Sequence, residues 1–352
     1  MHAAVLAASQ KPLVENALQQ IHTILAQVPA DVDWLAFQSG VQKYLAAPHT
    51  PRTSYPQVGH AGRVTLRDAG GTGPTVVLVP SMVNRGYVLD LLPGHSMIEA
   101  LRNAGYRVLF IDWGEPENEI LTLEQIIVTH LVPLLNTARQ VAGAPVGVVG
   151  YCMGGLLGMA GAILSGTNVV GKLALIATPW DFSVTPSSGH MLAARPVLEP
   201  WLNSQRVIPA EAMQQYFWLL DPWSPIRRFM AYGNATGEKQ TYLTALEDWL
   251  NDGLALDAPI AHEILMEWYA DNRTLNGNWF IQGKRINPAE LPIPLWVAVG
   301  QRDNLVPPGC ALPLIAQGRG AQVVMVDAGH VGLVVGRQAA EKIYTPLAAW
   351  LK

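Results

Sequence analysis

Two cysteines in 352 residues, Cys152 and Cys310, are too few for a disulfide framework, so a reducing compartment is the expectation. Charged residues make up only 14% of the chain, and its 23 Lys and Arg form no long run. With a net charge of −4 this leaves no basic footprint for nucleic acid and no steering toward a membrane surface. The first residues, MHAAVLAASQKPLVEN, lack a basic start and a sustained apolar stretch, so no secretion signal is expected. Internal repeats and low-complexity tracts are absent, as are a phosphate-binding loop and a convincing dinucleotide fingerprint. No histidine pair has metal-ligand spacing beside a carboxylate, so no metal site is expected.

What the chain does have is apolar material: 50% of its residues, with a mean hydropathy of +0.19. That suffices for a large core. Residues 144–164, APVGVVGYCMGGLLGMAGAIL, carry no charge over 21 positions and meet the length rule for a membrane span. The Gly-rich centre favours a buried strand, a tight turn and a buried helix instead.

Residues 13–27 place Val14, Leu18, Ile21 and Leu25 at helical spacing, and 34–44 form a second amphipathic stretch. A Pro-rich connector, AAPHTPRTSYPQVG, follows and reads as extended chain. From residue 63 strands and helices alternate. Strands are expected at 63–68, 75–79, 107–111, 146–149 and 172–177, with helices at 94–104, at 121–141 and after Cys152. This rhythm implies a mainly parallel sheet with helices on both faces. It stops near Pro179 and resumes with strands at 294–299 and 321–326 and a helix at 339–351. Seven of the eleven tryptophans lie in between: Trp180, Trp201, Trp218, Trp223, Trp249, Trp268 and Trp279. The expected organisation is an N-terminal helical segment at 1–60, an α/β core at 61–178 and 292–352, and a cap insertion at 179–291 over the carboxyl ends of the strands.

Gly150-Tyr151-Cys152-Met153-Gly154-Gly155 joins a buried strand to an apolar helix. That is the setting of a nucleophile elbow, with Cys where Ser is usual. The glycines allow strand and helix to pass closely, and the helix N-terminus favours a thiolate. Asp303 follows the strand at 294–299 and His330 the strand at 321–326, so both leave the same sheet edge as Cys152. The order Cys, Asp, His is the nucleophile–acid–base order of the α/β-hydrolase fold, which is the fold expected. His330 would act as general base and Asp303 would orient it. For an oxyanion hole the backbone N–H of Met153 is one candidate; Met82, in Pro80-Ser81-Met82-Val83-Asn84, is the other. Cys310 reads as a packing residue.

These residues resemble the polyhydroxyalkanoate synthases, most closely the short, two-subunit type, from about residue 60 to the C-terminus. The Cys box carries the likeness together with Val83-Asn84-Arg85-Gly86-Tyr87-Val88-Leu89-Asp90-Leu91, Phe110-Ile111-Asp112-Trp113-Gly114 and Thr178-Pro179-Trp180-Asp181-Phe182. Asp303-Asn304-Leu305-Val306-Pro307-Pro308 and Gly329-His330-Val331-Gly332 complete the set. The resemblance implies a cytoplasmic acyltransferase at the storage-granule surface. It would join (R)-3-hydroxyacyl groups from coenzyme A thioesters into a polyester, with Cys152 as acyl carrier, His330 as base and Asp303 assisting deprotonation of the incoming 3-hydroxyl. It implies no cofactor beyond the coenzyme A thioester substrate, a second synthase subunit, and a homodimer or hetero-oligomer. The rival readings are a hydrolase with a Cys nucleophile (polyester depolymerase, thioesterase or dienelactone-hydrolase-like) and a non-catalytic granule-associated subunit.

Overall fold

The computed structural model describes residues 29–220, 223–318 and 320–352. The helix expected at 13–27 lies outside them. The chain divides into two compact units, one holding the described residues up to Thr50 with Gln214–Thr244, the other Pro51–Met213 with Ala245–Lys352.

The larger unit is built on eight strands: β1 Gln57–Ala61, β2 Val64–Gly70, β3 Thr75–Val79, β4 Arg107–Asp112, β5 Val146–Tyr151, β6 Val170–Ile176, β7 Leu295–Gly300 and β8 Gln322–Val326. They form one sheet in the order β1-β2-β4-β3-β5-β6-β7-β8. From β4 to β8 all neighbours run parallel, while β2 is antiparallel to both β1 and β4. The sequence runs TVVLV and LWVAVG are apolar throughout because β3 and β7 are buried on both faces. The helices that matter below are α1 Met97–Asn103, α2 Val132–Ala142, α3 Met153–Ser165, α4 Pro186–Ser204 and α5 Pro308–Gln317. In the 144–164 segment, 146–151 is β5, and α3 begins at 153 and runs to 165. Among the described residues no helix is long and apolar enough to cross a membrane.

The connector before residue 63 departs from expectation, because Gln57–Ala61 is a strand. It forms an edge hairpin with β2 through Gly62, whose φ is +52°. Its composition (Gly59, His60) and its half-exposed position leave no apolar alternation to read. The chain also departs from a plain helix at Ile126–Leu131, a π-helical stretch ahead of α2.

The smaller unit has the helix Trp34–Leu45 packed on the helix Ser224–Gly233. Gly40 makes this approach, since a Cβ there would stand 1.8 Å from the Phe229 carbonyl oxygen. Asp33 caps the first helix, accepting from the N–H groups of Leu35 and Ala36. Lys43 ends it by donating to the carbonyls of Gly233 (3.1 Å) and Ala235.

Between β3 and β5 the chain order reverses, with β4 on one side and β5 on the other. Such a switch point opens a crevice at the carboxyl ends of the strands. The register pairs Val79 with Gly150, so the loop at Pro80 leaves the sheet beside Cys152.

Candidate active site

The elbow is strained and tightly packed. Cys152 has φ 55° and ψ −128°, a conformation that costs a non-glycine residue about 1–3 kcal/mol. Neighbouring contacts hold it there. The Cys152 N–H donates to the Ile176 carbonyl at 2.8 Å, and its own carbonyl accepts from the Gly155 N–H at 3.0 Å. A Cβ on Gly150 would lie 2.4 Å from the Gly155 Cα, one on Gly154 2.1 Å from the Val79 oxygen, and one on Gly155 1.9 Å from Thr178 Oγ1. Gly154→Ala therefore drives a methyl into rigid backbone. We expect it to destabilise the protein by more than about 3 kcal/mol or to prevent folding. Urea unfolding measures this, and a loss below about 1 kcal/mol would contradict the packing described.

Met153 opens α3, so its N–H is one of the four that lack an intrahelical acceptor. Met82 is buried in the loop after β3. That loop is tied to residues 249–254: Asn84 Nδ2 donates to the Trp249 carbonyl (3.2 Å), Leu254 N–H to the Val83 carbonyl (2.9 Å) and Trp249 Nε1 to the Arg85 carbonyl (2.7 Å). Arg85 Nε also donates to Asp252 Oδ1 at 2.9 Å.

Asp303 and His330 leave the ends of β7 and β8. The Asp303 side chain is fully buried and the His330 side chain is 12% exposed. His330 Nδ1 and Asp303 Oδ2 are 2.8 Å apart. Asp303 Oδ1 accepts from the N–H groups of Leu305 (2.9 Å) and Val306 (2.8 Å), so the carboxylate is held from both ends. The two loops are joined by Gln301 N–H to the Val326 carbonyl (2.8 Å) and Arg302 N–H to the Ala328 carbonyl (3.1 Å). With Nδ1 donating to the carboxylate, Nε2 is the nitrogen left to take a proton.

Cys152 lies close enough to the same imidazole for a charge on its sulfur to act on the ring. Burial alone would push the His330 pKa down. The negative charges of the Cys152 thiolate and Asp303, with their hydrogen bonds, outweigh it and raise the pKa from 6.5 to about 10. The structure thus brings Cys152, Asp303 and His330 together, with the imidazole hydrogen-bonded to the carboxylate and within electrostatic reach of the sulfur. Tyr151 was not singled out from the sequence. Its buried ring lies 5.4 Å from the His330 ring, tilted by 41°, and backs the imidazole. Only its place before Cys152 could have signalled it.

The second cysteine is different in kind. Cys310 in α5 is fully buried, and burial pushes its thiol up to about 12. Its carbonyl accepts from Trp180 N–H (3.1 Å) and Asp181 N–H (2.9 Å), tying α5 to the exit of β6. Brief iodoacetamide treatment of native protein is expected to give one adduct, on Cys152; mass spectrometry finding Cys310 labelled at a comparable rate would refute this. Other histidines have structural partners: His95 Nδ1 meets the Val335 carbonyl at 2.7 Å, and His262 Nε2 meets Glu199 Oε1 at 3.1 Å.

Three of the tryptophans of 179–291 form one cluster. Trp180, Trp268 and Trp279 are buried against one another, with Trp268–Trp279 centroids 5.3 Å apart and Phe182 stacked on Trp268.

Comparison with known proteins agrees with this architecture. The chain is 26% identical over 297 residues to the poly(3-hydroxyalkanoate) polymerase subunit PhaC of Haloferax mediterranei, covering 78% of this chain and 58% of that protein. It is 24% identical to the protein of the same name from Allochromatium vinosum, over 78% of this chain and 80% of the relative. The chain thus spans less than two thirds of the Haloferax protein's length. Among solved structures, the monoacylglycerol lipase of Paleococcus ferrophilus superposes with a TM-score of 0.53 at 16% identity, covering 81% of this chain and 98% of that one. The profile described as "Alpha/beta hydrolase family" matches residues 76–341. A strand order that reverses between β3 and β5, a nucleophile-type turn at that reversal and a profile match spanning both lead to one assignment: this chain belongs to the alpha/beta hydrolase family.

Proposed function

We propose that the chain is a cysteine-dependent acyltransferase that polymerises (R)-3-hydroxyacyl units from coenzyme A thioesters, releasing coenzyme A. The observation that carries this reading is Cys152 at a strained elbow beside an imidazole that Asp303 holds at 2.8 Å. The relatives named as poly(3-hydroxyalkanoate) polymerase subunits support the choice of substrate.

In the loading step, His330 Nε2 takes the thiol proton and the thiolate attacks the thioester carbonyl. The N–H groups of Met153 and Met82 would hold the oxyanion. Collapse expels the coenzyme A thiolate, which takes the proton back from the imidazolium and leaves as a thiol. One thioester replaces another, so little activation is lost. In the transfer step a 3-hydroxyl gives its proton to His330, attacks the Cys152 thioester and forms an oxoester, regenerating the thiolate. The second step is downhill. Its competitor is water, so a covered site favours polymer over free acid.

The working protein is proposed to act at the surface of its storage granule, as a dimer or with a second subunit. The test is the product made from 3-hydroxybutyryl-coenzyme A. Free coenzyme A with solvent-extractable polyester supports the proposal. Release of coenzyme A with 3-hydroxybutyric acid as the only product, with and without a candidate second subunit, would make the protein a thioesterase.

A further inference from the structure

The residue ahead of Cys152 is a tyrosine that hydrogen bonding does not account for. Tyr151 ends β5, where it pairs with Ile176 of β6, and it is 2% exposed. Its hydroxyl has no hydrogen-bond partner among the described residues. A buried hydroxyl left unpaired costs stability that phenylalanine in its place would not lose. Burial, with the negative charges of Cys152 and Asp303, pushes the phenol well above its ordinary pKa of 10. The side chain therefore stays neutral and protonated, and serves neither as a base nor as a phenolate.

What remains is the ring. Its centroid lies 5.4 Å from that of the His330 imidazole, with the planes tilted by 41°. That is inside the roughly 6 Å over which the negative face of an aromatic ring attracts a cation. The attraction is strongest where water is excluded, and both side chains are largely buried. Two anionic groups act on the same imidazole: Cys152 from the elbow and Asp303 from the loop after β7. Arg302, next to Asp303 in the chain, is exposed and paired with Asp327 at 2.6 Å. Asp303 grips the imidazole at Nδ1 alone, and one hydrogen bond leaves a ring free to swing about it. A contact on its face removes that freedom.

We infer that Tyr151 is a positioning residue for the proposed base: its ring face holds the His330 imidazole beside Cys152 and favours the doubly protonated form that balances a thiolate. The inference rests on the cysteine-nucleophile reading above and adds a group to that site. One proton passes from the sulfur to Nε2, so a neutral pair becomes an ion pair with no change in net charge. The aromatic face stabilises the imidazolium half of that pair. Tyr151 and Cys152 are neighbours in the chain, so the elbow that presents the sulfur also places the ring that backs its base.

The test uses the full chain and two readouts that need no polymer. Proton NMR follows the His330 titration, and iodoacetamide alkylation of Cys152 is timed as pH is varied. In Tyr151→Leu the imidazolium is expected to lose its proton about one pH unit lower than in the parent, and alkylation below its midpoint to slow about tenfold. Tyr151→Phe keeps the ring and should restore both. Tyr151→pentafluorophenylalanine keeps the shape but removes the negative face, and should behave as the leucine variant does. Unfolding midpoints certify the variants, and Tyr151→Met serves should the leucine one not fold. A leucine variant with the parent's titration and alkylation profile overturns the inference and leaves Tyr151 a packing residue. Equal behaviour of the plain and fluorinated phenylalanines also overturns it, since shape alone would then suffice. So does failure of Tyr151→Phe to restore the parent's values, which would assign the effect to the hydroxyl. A parent in which Cys152 resists alkylation at every pH sinks the nucleophile reading and this inference with it, whereas fast alkylation of parent and leucine variant alike sinks this inference alone.

Discussion

Replacing Cys152 by alanine is expected to cut coenzyme A release from 3-hydroxybutyryl-coenzyme A by about 10⁴-fold or more, to the level of the uncatalysed background. On the proposed mechanism the covalent carrier is then gone, and the elbow N–H groups have no acyl–enzyme intermediate to act on. The fold should survive. Cys152 is only half-buried, and alanine at φ 55° carries the same backbone strain as cysteine. Circular dichroism and an unfolding midpoint near that of the parent would certify this. Turnover within tenfold of the parent would remove the sulfur from the mechanism. A companion measurement is the His330 imidazole titration by proton NMR. Loss of the thiolate charge removes one of the causes that raise this pKa, so it should fall from about 10 in the alanine variant.

Asp303→Asn should be nearly as damaging, for a different reason. The carboxylate serves three donors at once: the N–H groups of Leu305 and Val306 on one oxygen and His330 Nδ1 on the other. An amide keeping its oxygen toward the two backbone groups must turn its NH₂ toward the imidazole. Nδ1 then accepts, the proton sits on Nε2, and the ring can no longer take one from the thiol. We expect about 10³–10⁴-fold lower turnover, with Cys152 still in place. Stability should fall too, by about 2 kcal/mol for a lost charge-assisted hydrogen bond at a buried position. The pH dependence gives the sign. The folded pKa of His330 is raised, so its contribution is complete below about 6.5, the unfolded value, and is lost as pH rises through about 10. Parent protein titrated with urea across that window should lose stability, and the asparagine variant should give a flatter curve. An asparagine variant with parental turnover and slope would show that the carboxylate neither orients nor charges the imidazole.

The parts of the site carried by the sheet were legible in the sequence because burial on both faces leaves a plain trace. VGVVGY and LWVAVG can be read as strands, and the polar residues just beyond them must emerge at one edge. The glycines around Cys152 were legible for a related reason, as each marks a place where another backbone leaves no room. The edge hairpin at Gln57–Ala61 was not, since a half-exposed strand with Gly59 and His60 has no apolar period. Nor was the interior of 179–291. Tryptophan content signals burial without saying against what, and Trp180, Trp268 and Trp279 proved to pack on each other. The ties between the β3 loop and residues 249–254 join positions some 165 apart, a pairing no local pattern encodes.

Those ties separate two kinds of rigidity. The sulfur, imidazole and carboxylate are set by strand ends of one hydrogen-bonded sheet, whereas the loop bearing Met82 hangs partly on residues 249–254. In the proposed mechanism, slackening that segment would loosen the Met82 N–H while leaving Cys152, His330 and Asp303 in place. On that reading the contacts at Asn84, Arg85 and Trp249 would tune one hydrogen-bond donor with no rearrangement of the groups that make and break bonds.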